Sequence, residues 1–286
     1  MTFTEKALVI PCGADQLVGI VTRPERPASL GLVVVVGGPQ YRVGSHRQFV
    51  LLARCLASAG YAVLRFDYRG MGDSSGETRN FDNVQEDIAQ AMDALQAQCP
   101  EVKRIVLWGL CDGASAVLLQ ASKSVDARTV GLCLLNPWVR SEATLARTHL
   151  KHYYLARVVQ VDFWRQLLRG EFAWRQALQG FWGNLTARRA STQSGLVQDA
   201  PFQRRMAQAL RAFKGQVLLI LSTNDYTAKE FLECAKSDPD WRGLLGLPSL
   251  RRVDVAGADH TFSQAEWRAS TEQSLLNWMD VLKASP

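Results

Sequence analysis

The chain has 286 residues, 47% apolar and 21% charged, which places it among globular proteins with one large α/β domain carrying an insertion, or two small domains. No apolar run approaches the ~18 residues of a membrane span, and MTFTEKALVIPCG lacks the basic and long apolar regions of a signal peptide, so a cytoplasmic location is expected. The formal charge of +6 is uneven: Arg140 to Lys214 holds thirteen basic and four acidic residues, net +9, against −3 for the rest.

EKALVIPCGADQLVGIVTRPE reads as an antiparallel hairpin turning at Gly13, Ala14 and Asp15, an edge for a mostly parallel sheet. LGLVVVVGG (30–38) is a continuous apolar run, as in a strand buried on both faces. Residues 46–59 set Phe49, Leu52, Ala53 and Leu56 at helical spacing, and Gly60 stops the helix. YAVLRFDYRG (61–70) is the next strand, and 80–98 the next helix, with Val84, Ile88, Ala91, Met92 and Leu95 on one face. A strand over 104–110, a helix over 113–123 and a strand over 131–137 follow.

From 138 to 214 strand-like runs vanish. Helices are expected at 141–160, 162–179 and 200–213, with a polar loop at 183–195. Strands return at 215–225 and 249–260, and a last helix runs over 263–283. The expected architecture is a core of 1–137 with 215–286: a mostly parallel sheet, helices on both faces, and a helical cap over 138–214. Such a cap would stand over the carboxyl ends of the strands, where open α/β sheets bind ligands.

The chemistry concentrates at WGLCDGAS (108–115). Cys111 closes an apolar strand, precedes a helix and stands between Gly109 and Gly113. By itself Gly-Leu-Cys-Asp-Gly is also how a small buried thiol reads. The strand-to-helix context instead suits a nucleophile on a sharp turn, with the Asp112 N–H aimed at a substrate oxygen and the helix end favouring an anion. Asp225 and His260 follow two later strands, in the order nucleophile, acid, histidine. Asp225 could equally cap the helix starting near Thr227, and Asp259 is a rival acid. The loop after the 30–36 strand would supply a second oxyanion donor, Gly38 first and Gln40 second, since Pro39 has no N–H. Arg42 and His46 follow at the pocket mouth, to bind an acidic group or to pair with surface acids. Trp138 opens the cap and is expected at the substrate entrance.

Six dispersed cysteines with no Cys-x-x-Cys pair, and four histidines, suggest neither a disulfide framework nor a metal site. FDYRGMGDSSGE (66–77) reads as a constrained structural loop, since no phosphate-loop signature is present. No metal or other cofactor is expected.

The segments GGPQYRVGSHRQFVLLARCLASAGYAVLRFDYRGMGDSSGE, WGLCDGAS, STND and GADHTF resemble the ordered landmarks of the α/β-hydrolase superfamily. More narrowly, GGPQYRVGSHRQF with the GLCDGAS elbow resembles the exosortase A system-associated hydrolase 1 family, which is encoded with bacterial exopolysaccharide genes. That resemblance implies a Cys–His–Asp triad of Cys111, His260 and Asp225, and no particular substrate. Two departures from the common superfamily pattern stand out: cysteine replaces serine, and Val36 stands where a histidine commonly precedes the oxyanion glycine.

A thiolate attacks readily but also leaves readily, so cysteine suits acyl groups with good leaving groups: thioesters, activated esters and lactones. Hydrolysis is expected, with acyl transfer to an amine or hydroxyl as the alternative. A binding protein that keeps the fold without the chemistry is a third reading. The +9 segment points to an anionic acyl partner, such as acyl-CoA, an acyl carrier or an acidic saccharide, or else to a solvated helix face. Its basic residues are interleaved with apolar ones and no recognition motif accompanies them, so nucleic acid is not an expected partner.

Overall fold

A computed structural model describes residues 2–38, 41–123, 126–140 and 200–284. The chain separates into two units, one of Met1–Arg140 with Pro201–Pro286, the other Ser141–Ala200. The helices expected at 141–160 and 162–179 and the loop at 183–195 lie outside the described residues.

The first unit is built on an eight-stranded sheet of order β1-β2-β4-β3-β5-β6-β7-β8. The strands are β1 (Phe3–Cys12), β2 (Asp15–Pro24), β3 (Leu30–Val35), β4 (Val63–Asp67), β5 (Arg104–Leu110), β6 (Thr129–Leu135), β7 (Gln216–Ser222) and β8 (Leu250–Val255). β1 and β2 pair antiparallel from Phe3↔Pro24 to Cys12↔Asp15, and Gly13 takes the left-handed turn at φ +63. β2 also runs against β4, while β3 to β8 are mutually parallel.

Strands in the middle of a parallel sheet must be apolar on both faces, and β3 and β4 are buried at every residue. Alternation sends Val33 and Val35 to one side and Leu32 and Val34 to the other. The second side is covered by α1 (Gln48–Ser58) and α6 (Ala265–Ala284), through Phe49, Leu52 and Leu56 and through Leu275, Trp278 and Met279. Phe49 meets Trp108 of β5 edge-on at 5.4 Å. The first side is covered by α2 (Gln85–Gln98), α3 (Asp112–Lys123), α4 (Phe202–Ala212) and α5 (Tyr226–Ser237).

α4 falls in the stretch expected as cap, at 200–213. Its Met206, Ala207 and Leu210 are buried in the same core as Val117 and Leu118 of α3, and it belongs to the sheet unit. Most of the expected strands also end earlier than their apolar runs suggested. β5 ends at Leu110 as expected, whereas β3, β4, β6, β7 and β8 stop two to five residues short at the carboxyl end, and the residues released form loops that border the candidate site.

Candidate active site

Because β3 to β8 run in one sense, their carboxyl ends share an edge, and Cys111, Asn136, Asp225 and His260 all follow strand ends there. Cys111 joins β5 to α3 in a single left-handed residue, φ +60, a conformation that costs an ordinary side chain about 1–2 kcal/mol. Its N–H donates to the Leu135 carbonyl at 2.9 Å, and its own carbonyl accepts the N–H groups of Ala114 and Trp138, each at 3.1 Å. The flanking glycines are a steric necessity. A Cβ at Gly109 would stand 2.4 Å from the Gly113 carbonyl group, and one at Gly113 would stand 2.6 Å from the Val35 oxygen. The turn closes against β3 only with hydrogen at both positions.

His260 turns its Nδ1 to Asp225 Oδ2 at 2.9 Å, and its ring stands beside the Cys111 side chain. The bond to Asp225, then the contact with Cys111, raises the imidazole to about 10, against the burial that opposes its charge. Asp225 plays two parts at once. Its carboxylate caps α5 by accepting the N–H groups of Thr227 at 3.3 Å and Ala228 at 3.0 Å, and the second of its oxygens also faces His260. Burial works against its charge, but His260 and the helix N–H groups overcome that and hold the carboxyl below its usual range. Asp259 is turned elsewhere, accepting from the N–H groups of Thr261 and Ser263 and the Ser263 hydroxyl. The structure therefore brings together Cys111, His260 and Asp225.

A further pair holds the histidine loop and was missed from the sequence. Buried Asn136, at φ +43, donates from Nδ2 to the Ser222 hydroxyl at 2.9 Å and to the His260 carbonyl at 3.1 Å. Its Oδ1 accepts the Ser222 N–H at 2.8 Å, and the Ser222 hydroxyl donates to the Asp259 carbonyl at 2.8 Å. A polar residue closing the apolar run GLCLLNP was the available signal.

Two expectations need correction. The Gly38 N–H is not a free oxyanion donor, because it donates to Asp112 Oδ2 at 2.7 Å. Arg42 is not open to a ligand. Its guanidinium pairs with Asp67, whose side chain is fully buried, and reaches Asp73 at 2.5 Å, while its N–H donates to Asp67 at 2.6 Å. Gln40 lies outside the described residues. His46 is exposed, at φ +53, and acts on Asp259 through its charge. Trp138 is half-buried under the Arg140 guanidinium, 4.6 Å from its ring centre, and Arg140 in turn pairs with Glu230 at 2.9 Å.

Among the described residues, Cys12, Glu86 and Asp87 stand close enough to hold a metal ion. The Arg69 guanidinium already bridges both carboxylates at 2.5 Å, so a cation there would meet a fixed cation.

A sheet of parallel strands with a left-handed residue at a strand-to-helix turn, and a histidine–carboxylate pair beside it, defines the nucleophile-elbow class of α/β proteins. The chain belongs to the alpha/beta hydrolase family, whose model matches residues 32–270. Protein ABHD12B of Homo sapiens is 29% identical over 116 residues, 38% of this chain, and the chain spans only 31% of that relative's length.

Among solved structures, the esterase Pf2001 of Pyrococcus furiosus aligns with a TM-score of 0.62 at 18% identity, over 97% of this chain and 94% of that one. A dienelactone hydrolase from Anabaena variabilis aligns at 0.61 and 16%, over 97% of each chain. Est1E from Butyrivibrio proteoclasticus, solved with ferulic acid, aligns at 0.62 and 15%, over 98% and 100%. At these identities the likeness is one of fold. Among the described residues no helix is long and apolar enough to cross a membrane.

Proposed function

We propose that the protein is a cysteine-nucleophile acyl hydrolase that cleaves activated acyl compounds through a covalent acyl-Cys111 intermediate. The observation that carries the reading is the contact of Cys111, held left-handed at the elbow, with a His260 whose far nitrogen is fixed by Asp225. His260 takes the thiol proton, and the sulfur forms a bond to the acyl carbon. The resulting oxyanion is held by the Asp112 N–H and by the Gly38 N–H, which it takes over from the Asp112 carboxylate. When the adduct collapses, the bond to the leaving group breaks and His260 returns the proton to that group. Water then loses a proton to His260 as its oxygen attacks the thioester. The carboxylic acid leaves and the proton returns to sulfur. Asp225 orients the ring and supports its charged form.

Thioesters, activated esters and lactones suit a nucleophile that is also a good leaving group. The esterase and hydrolase names of the structural relatives agree with ester-type chemistry. The resemblance of GGPQYRVGSHRQF and GLCDGAS to the exosortase-associated hydrolases favours a bacterial role beside exopolysaccharide synthesis. Six free thiols fit a reducing, cytoplasmic setting. The test is turnover of a panel of acyl thioesters and p-nitrophenyl esters by the parent protein and by Cys111→Ala. Turnover by the parent and its loss in the variant is expected, and equal turnover by both would end the proposal.

A further inference from the structure

The place where a substrate oxyanion would be held contains an anion of the protein's own. Asp112 Oδ2 accepts the Gly38 N–H at 2.7 Å and Oδ1 accepts the Gly113 N–H at 3.1 Å. These donors include the Gly38 N–H assigned to the oxyanion and the Gly113 N–H in the first turn of α3, at that helix's positive end. The fit extends to the facing loop. A Cβ at Gly37 would stand 2.1 Å from Asp112 Oδ1, so the second glycine-rich turn leaves the space that this carboxylate fills. Asp112 directly follows Cys111 and acts through its charge on His260.

We propose that Asp112 is a specificity-determining residue whose carboxylate guards the oxyanion site, so that acylation of Cys111 requires the substrate oxygen to displace it. The proposal rests on Cys111 being the nucleophile. A carboxylate is a stronger acceptor than a neutral carbonyl oxygen, so ground-state binding does not displace it. Only an oxygen gaining negative charge competes on equal terms. Displacement raises the barrier for every acyl compound. It excludes those with poor leaving groups, because their adducts return to thiolate before product forms.

The test compares two reactions of the same sulfur. p-Nitrophenyl acetate acylates Cys111, forming a C–S bond and releasing p-nitrophenolate as the C–O bond breaks. Iodoacetamide alkylates it without making an oxyanion. In Asp112→Ala, acylation should rise about tenfold or more relative to alkylation, on the order of one charge-assisted hydrogen bond. Asp112→Asn, nearly the same shape with a weaker acceptor, should fall between and covers the case in which alanine unsettles the elbow. The preference for p-nitrophenyl over phenyl acetate should narrow in both.

An unchanged or lower acylation-to-alkylation ratio in both variants would overturn the guarding role while leaving the nucleophile in place. Alkylation of Cys111 without acylation in the parent or either variant would overturn the nucleophile, and the guard with it.

Discussion

Replacing Asn136 by alanine removes the link between β6, β7 and the histidine loop, and its cost can be worked from the contacts. The substitution strands the buried Ser222 N–H and the His260 carbonyl, since the Ser222 hydroxyl keeps its own acceptor in Asp259. Each stranded buried group costs ~1–3 kcal/mol, and alanine held at φ +43 adds about 1 kcal/mol. The His260 side borders a partly exposed ring, so the lower half of that range applies to its carbonyl, and the loss should be about 3–6 kcal/mol. Urea unfolding of the parent and Asn136→Ala should show a lower midpoint at an unchanged slope. Turnover should fall as well, because the histidine loop loses its anchor. A loss below about 1 kcal/mol with full turnover would refute this reasoning.

Arg42→Ala should cost ~3–5 kcal/mol by stranding the buried Asp67 carboxylate, with KM for an anionic acyl substrate unchanged; a raised KM on an unchanged stability would restore Arg42 as a ligand-binding group. His260 is raised from an unfolded value near 6.5 to about 10, so its contribution to stability is complete below ~6.5 and is lost as pH rises towards 10. Asp225→Asn should bring the ring titration, followed by NMR, back towards the ordinary value and flatten that pH dependence. An unmoved titration would show that Asp225 is not the cause. The same variant keeps an oxygen for the α5 cap, so it should match the parent's stability near pH 10, where the His260 contribution is already lost, and fall below it at neutral pH, while turnover falls about 10²–10⁴-fold.

Most of the sheet was legible because parallel strands buried on both faces announce themselves as apolar runs, and hairpin residues Gly13 to Asp15 as a turn. Cys111, Asp225 and His260 were legible because each follows such a run. The ends of the runs were not. Strands expected to reach 225 and 260 stop at Ser222 and Val255, since apolar character does not distinguish a strand end from the loop it feeds.

Side-chain pairings across the fold were also beyond reach. Nothing in the sequence tells that Asp112 turns back onto Gly38, 74 residues earlier, or that Arg42 is taken up by Asp67 rather than left at the pocket mouth. Asn136 and Ser222 are neighbours only once β6 and β7 are paired. The α4 segment was read with its basic neighbours, although Met206, Ala207 and Leu210 already formed an apolar stripe at helical spacing.

The role of Cys111 as nucleophile is tested most directly by intact-protein mass spectrometry after brief exposure to an acyl thioester, followed by peptide mapping. The expected result is one added acyl mass on the peptide holding Cys111, absent from Cys111→Ala and persisting longer in His260→Ala when that variant is pre-acylated with an activated ester. Hydrolysis of the thioester with no acyl mass on Cys111 in the parent or the His260 variant, or an adduct that survives in Cys111→Ala, would contradict it.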